Sequence, residues 1–574
     1  GSSSLTTTTG NADLTASSSV ATEAKPTSAL VKLAGDASVA ISTVTSAARV
    51  HVGDTTVANV AGNLALTATN TVTTTASADA SLGGATAAGA AVAVSAVNAG
   101  AAAYVDGRAA ITTGGALNLA ATSRNTVRVS ATSAAKGAQQ DSAGTSKSSQ
   151  TLTKYKDFAS TSEGQVQVAG ALAISELTDN TRAYLATSAA THVGGELSVR
   201  SQAAGISSSR ADGGNTSGAI GVGSAVALNI GVSTNQAYVA DGVVVDAKGV
   251  TVSATVPVGE KNDFGAEAKS GAGAGNVGVA GSLAANVVVN TTVATLEGDK
   301  DGSGLGAVVE AGTGDVKVEA TSASASVVKS GADVKGSGTS AKVGVGASVG
   351  LNVGVNTTVA EVQDGAKLTG GKDMSLTAQA AHDLSSEVTG GAAGAKVAVT
   401  PLAAVTVGVN TTTARLGTSA TGLSLSGAYT SGAEQTSSAS SKATGQTEGT
   451  SVAVGASVAL TSSTDTVTGV IDRDVTAGGA VEVGAKSTAK SSAGATASVK
   501  GGEKADAGTD KPASGDAGTV DKQVTAQGDA AKKAGASADA GAGSKLSGTK
   551  PAPKGETSEG GVSVAAAVGV NVGV

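Results

Sequence analysis

SVGLNVGVNTTVAEVQDGAKLTGGKDMSLTAQA, residues 348–380, alternates strictly in its first half. Val349, Leu351, Val353 and Val355 interleave with Gly350, Asn352, Gly354 and Asn356. This period of two predicts a β-strand with one apolar face and one face of small or hydrogen-bonding residues. An Asn-Thr-Thr corner and a second apolar segment (Val359, Val362) follow, then a turn at Asp364-Gly365, a short strand through Leu368, a Gly-Gly turn and a last strand through Met374 and Leu376. Asp-Gly and Gly-Gly pairs suit turns that need a positive φ.

The same paragraph recurs along the chain. The apolar pair of the last strand falls at Ala12/Leu14, Leu64/Leu66, Leu117/Leu119, Leu197/Val199, Val250/Val252, Val316/Val318, Met374/Leu376, Leu423/Leu425 and Val481/Val483. The end of the segment after the corner gives a second ruler: Val50, Val105, Leu185, Val239, Leu296, Val362, Leu416 and Ile471. A fixed period is the mark of a stacked-repeat architecture, in which no unit can bury its Val/Leu face alone and stacking supplies the burial. The expected fold is all-β: a parallel β-solenoid (β-helix) of about eight repeats of roughly 55 residues, with loop excursions. Two to three coils per repeat, at about 4.8 Å per strand, give a rod roughly 80–130 Å long; one wide coil or an antiparallel meander is the alternative.

Composition supports this class and narrows function. The 574 residues include 81 Gly, 1% aromatics and no Trp, and only 14% are charged. A thick globular core needs large side chains, whereas Val and Ala suit thin stacked layers. A net charge of −7 without a basic, aromatic-interleaved patch argues against nucleic acid as a partner. Without cysteine there is no disulfide or thiolate site. Residues 84–103 are uncharged, but they are Gly/Ala-rich and lack Leu, Ile and Phe, so a membrane span is not expected there.

Solenoid repeats are expected over 1–134 and 164–484, and the start of a further repeat over 561–574. Both ends fall in mid-repeat, which reads as a window from a longer polypeptide. Residues 135–163 read as a loop insertion, and 485–560, rich in Lys, Asp and Gly, as a flexible polar insertion.

Three patterns carry candidate chemistry. Two polar columns precede the second ruler: Ser95, Ser175, Asn229, Asn286, Asn352, Thr406 and Thr461, then Asp179, Ser233, Asn290, Asn356, Asn410 and Asp465. Even spacing puts both on one strand face, where like residues in successive layers can bond along the stack. They read as register-fixing ladders or, alternatively, as a glycan groove. Paired threonines (Thr291-Thr292, Thr357-Thr358, Thr411-Thr412) form an array broken elsewhere in the chain. Asp299, Asp301, Ser303 and Glu310 follow the spacing of a calcium loop, or of a polar surface turn. His51, His192 and His382 occupy non-equivalent places, and no paired acid/base carboxylates or nucleophile motif stands out, so an enzyme is not expected.

The strings VALNIGVSTNQAYVADG (226–242), ANVVVNTTVATLEG (285–298) and LNVGVNTTVAEVQDGAKLTGGKDMSLTA (351–378) resemble repeats of very large bacterial exoproteins, the filamentous-haemagglutinin-like and leukotoxin-type repeat adhesins. The resemblance spans most of the chain outside 135–163 and 485–560. It implies an extracellular or cell-surface solenoid serving as a stalk, fibre or adhesin. Its expected partners are copies of itself, neighbouring filaments or surface polysaccharide.

Overall fold

The computed structural model describes residues 3–26, 35–80, 88–135, 166–215, 220–274, 276–299, 306–336, 342–394, 396–500 and 562–574. One circuit contains three strands. Val343–Val362 leads, Lys367–Thr369 forms a short side, and Met374–Gly394 returns, after which Val397–Leu416 begins the next circuit. Among the described residues every strand pairing is parallel and joins equivalent strands of successive circuits: Val343 lies beside Val397, and Met374 beside Tyr429. The protein is thus a parallel β-solenoid with a leading sheet, a short sheet and a trailing sheet.

The repeat corresponds to a single wide coil, correcting the expectation of two to three coils. Among the described residues the leading sheet has nine strands, so at about 4.8 Å each the stack stands only about 40 Å tall. A leading strand of 20 residues, at about 3.3 Å each, is about 65 Å long. The unit is therefore wider than it is high, and the longer rod inferred from narrow coils does not hold.

In cross-section the coil tapers. At the broad end, the close of the leading strand, the short strand and the start of the trailing strand enclose Val362, Leu368, Met374 and Leu376 in a continuous apolar core. Away from it the leading and trailing sheets face one another directly, and the gap narrows. A Cβ on Gly350 would lie 2.7 Å from Val388 Cγ2, and one on Gly354 2.5 Å from Leu384 Cδ2. The glycines of the alternating stretch therefore face inward and make room for branched side chains of the trailing strand. Gly354→Val should cost about 1–3 kcal/mol through overpacking. The urea midpoint is expected to fall accordingly, and to recover in part when Leu384→Ala is added.

This packing reverses one expectation. The Val/Leu face of the leading strand was expected to be the buried one; instead it points outward, and Gly350, Asn352, Gly354 and Asn356 are inside. Two sheets that both turned large residues inward would not fit the narrow gap. The corners follow the expected turn chemistry, with Gly365 at φ +85° and Gly370 and Gly371 at +72° and +102°.

Register refines the two rulers. Val105, Leu185, Val239, Leu296, Val362, Leu416 and Ile471 form one column, but its first member is Val52, not Val50. Leu423 and Leu425 belong to a short strand that pairs with Val475–Ala477, and the residues aligned with Met374 and Leu376 are Tyr429 and Ser431. Tyr429 is fully buried and supplies the bulk that the pattern search sought in leucine.

Boundaries shift as well. Val481–Lys500 is a trailing strand paired to Tyr429–Gly449, so 485–500 is solenoid and not insertion. Ala88–Gly107 is a leading strand, which accounts for most of the uncharged 84–103 stretch. No helix among the described residues is long and apolar enough to cross a membrane. Residues 136–163 and 501–560 lie outside the described residues; their flanks, Ala135 and Lys500, end trailing strands at the thin edge of the coil.

Candidate functional site: the polar ladders

Both predicted columns exist as continuous rows in register. Ser95, Ser175, Asn229, Asn286, Asn352, Thr406 and Thr461 are successive partners, as are Asp179, Ser233, Asn290, Asn356, Asn410 and Asp465. All lie between the leading and trailing sheets, and all are buried except Asp465, which is half-buried. Burial of an amide is tolerable only when its donors and acceptors are matched.

In the second column the match is made along the stack. Asn290 Nδ2 donates to Asn356 Oδ1 at 2.8 Å, Asn356 Nδ2 to Asn410 Oδ1 at 2.7 Å, and Asn410 Nδ2 to Asp465 Oδ1 at 2.9 Å. The Asp465 carboxylate ends the chain of amides and also accepts from Gln435 Nε2 (2.6 Å) and Ser463 Oγ (2.8 Å). Each rung holds its neighbour in register, because a one-residue slip would send the amides to the outer face.

The first column is tied across the gap. Asn229 Nδ2 donates to Asn286 Oδ1 (2.7 Å), Asn286 Nδ2 to Ser326 Oγ (2.6 Å), and Ser326 Oγ to Asn352 Oδ1 (2.5 Å). Asn352 Nδ2 then reaches the backbone carbonyls of Ser326 and Ser385, at 2.8 and 3.0 Å. Ser207 Oγ donates to Asn229 Oδ1 at 2.6 Å, repeating the motif two layers away. These serines escaped the sequence reading because Ser/Ala tracts such as residues 322–326 resemble loops in composition. Their alternation, with Ser322, Ser324 and Ser326 all buried, was the available signal.

The reading of the columns as a glycan groove is overturned: the amides face the interior and are not accessible to a sugar. The threonine pairs divide, with Thr292, Thr358 and Thr412 buried. Their partners Thr291, Thr357 and Thr411 join Thr234 and Thr466 in one outward column, longer than the pairs alone suggested.

Two ionisable groups are sealed in the same interlayer. Burial pushes the Asp179 carboxyl up to about 6, although hydrogen bonds from Thr181, Ser123 and Asn125 favour the anion. Burial pulls the His382 imidazole down to about 4, against the attraction of Asp465, and its Nδ1 lies 2.8 Å from Ser324 Oγ. Neither opens onto a cleft where a substrate could meet it.

The outer surface carries other rows. His51, Tyr104, Tyr184 and Tyr238 stack ring on ring in successive layers, with centroids 5.0, 4.6 and 4.9 Å apart. Since the rings cover one another, this row adds to stack cohesion. Opposite charges also meet between layers of the trailing sheet, as in Arg210–Glu267 (2.6 Å) and Lys486–Glu434 (2.6 Å); exposed pairs of this kind contribute little. On the short sheet, His192 Nδ1 is 2.9 Å from Asp246 Oδ2, and Asp246 pairs in register with Glu310.

For the calcium reading, Asp301 and Ser303 lie outside the described residues. Glu310 is the last residue of the short strand Val308–Glu310, and Asp299 follows the leading strand Val277–Leu296. Among the described residues no group of three or more His, Asp or Glu side chains is placed to hold a metal.

Fold and interior together define a class: a wide-coil parallel β-solenoid whose two long sheets are joined by buried amide and hydroxyl ladders. No protein-family model, curated protein or solved structure matches the chain.

Proposed function

We propose that the chain is a mechanical element, a rigid segment of a large secreted or cell-surface fibrous protein. The observation that carries this reading is the unbroken register of the leading sheet through nine layers of the described residues, four of them tied by the amide ladder from Asn290 to Asp465. Such a stack extends by repetition, each coil burying the apolar core of the next. The resemblance of residues 226–242, 285–298 and 351–378 to exoprotein repeats supports an extracellular location and a stalk or adhesin role. The buried ladders favour a structural task over sugar binding by the same residues.

Stretching single molecules between the chain ends tests the proposal. A load-bearing stack is expected to give way coil by coil, each event releasing about 55 residues, or roughly 180–200 Å of contour. Rupture of the whole chain in one low-force event would overturn it.

A further inference from the structure

The two broad faces of the solenoid differ sharply. The outward side of the trailing sheet carries Arg124, Arg210, Glu267, Glu387, Lys442 and Lys486. Over Val343–Val355 and the register partners of those residues, the outward side of the leading sheet is mostly valine, leucine, isoleucine and alanine. Leu283, Val349, Val409 and Val458 remain 41%, 42%, 39% and 42% exposed, and Val39 and Ile41 more so. From Val343 to Val355, and through the register partners of those residues, the only ionisable outward side chain among the described residues is Glu176.

We propose that this face packs against the same face of a second copy of the chain. With about 3.3 Å per residue and about 4.8 Å per strand, this area, charged only at Glu176, measures about 40 Å by about 40 Å, roughly 1,600 Å². Soluble monomers seldom expose apolar patches beyond about 300–600 Å². A stable association needs only about 800 Å² from each partner. The occupant must therefore be broad, flat and apolar.

A second copy meets all three requirements. Rows of short branched side chains at regular spacing interdigitate with identical rows, as in sandwiches whose sheets lie about 10 Å apart with strands about 30° askew. The chain's own residues 501–561 are Lys-, Asp- and Gly-rich and lack apolar alternation, so their composition does not match the face. A lipid surface is disfavoured because the face has no tryptophan, and its margins mix basic Lys342, Lys396 and Arg415 with acidic Glu361 rather than forming a basic rim. The proposal rests on this face alone and holds whether or not the chain bears load.

Sedimentation velocity of the purified chain is the primary test, with a dimer expected at about 10 µM. Val289→Lys combined with Val349→Lys, both at outward positions, should weaken association at least about 100-fold while leaving the thermal melt in place. A second measurement does not depend on how that variant folds. The chain has no cysteine, so Val349→Cys and Lys442→Cys each introduce a single thiol. Maleimide labelling of the first should slow about tenfold or more as the chain is concentrated, whereas labelling of the second, on the charged face, should not change. A monomer at about 100 µM, a dimer that survives both lysines, or equal labelling at both positions would overturn the proposal. So would flotation of the wild-type chain with neutral phosphatidylcholine vesicles, which would assign the face to lipid.

Discussion

Asn356→Leu should loosen its coil by about 4 kcal/mol, although the two side chains are nearly the same size. The residue is 2% exposed, accepts from Asn290 and donates to Asn410. Leucine would leave one buried donor above it and one buried acceptor below it without their partner, at about 1–3 kcal/mol each, and the lost bonds add to this. Because coils of a stack can open separately, the effect is best read locally. Amide exchange across Val355–Thr358 should accelerate by roughly 1,000-fold, at about 1.4 kcal/mol per factor of ten. Replacing Asn290, Asn356 and Asn410 together by leucine should cost much less than three times the single change, since whole rungs then leave as matched pairs. A single variant whose exchange is unchanged would show that the ladder is incidental.

The second large effect is a concealed pH balance. The native Asp179 carboxyl, at about 6 against an ordinary 3.8, holds its proton more tightly than the unfolded chain does. Its stabilising contribution is complete below pH 3.8 and is lost as pH rises through 6, a change of roughly 3 kcal/mol. The native His382 ring, at about 4 against an ordinary 6.5, binds its proton less tightly than the unfolded chain. Its contribution is complete above pH 6.5 and is lost as pH falls through 4, again roughly 3 kcal/mol. Between pH 4 and 6 these slopes oppose one another. Asp179→Asn should therefore raise stability at pH 7.5 by up to about 3 kcal/mol and expose a steep loss towards pH 4. His382→Ser, which matches its register neighbours Ser324 and Ser437, should leave a profile that declines from pH 4 to 6. Thermal melts at stepped pH check both; two variants with the wild-type profile would count against buried ionisation at these sites.

Much of the architecture was legible because strand alternation and repeat length are local properties. The Asn columns were found from spacing alone, since an even offset fixes a shared face wherever the strand lies. The identity of the inward face was not legible. It depends on the width of the gap, which Leu384 and Val388 set from a strand some thirty residues later (about the length of half a coil). The number of coils per repeat was hidden for a similar reason: apolar spacing marks where strands occur but not where the chain closes its circuit. Tyr429 and Ser431 displaced one ruler because a buried tyrosine replaces a leucine in bulk but not in hydropathy. The His51–Tyr238 ring row emerges only when layers are superposed.

The thin edge has a consequence for how such a gene can change. There the trailing strand ends and the next leading strand begins, as between Gly394 and Val397 or between Lys500 and Val562. A codon added between Gly394 and Val397 lengthens a connector without disturbing a rung, whereas one codon added inside a strand would invert every side chain of that strand beyond it. Variation in length is thereby channelled to this ridge and to the corner between leading and short strands, which spans 297–307 in one circuit but 363–366 in the next. Gain or loss of an entire coding repeat is the other permitted edit, and it alters the height of the particle by one storey.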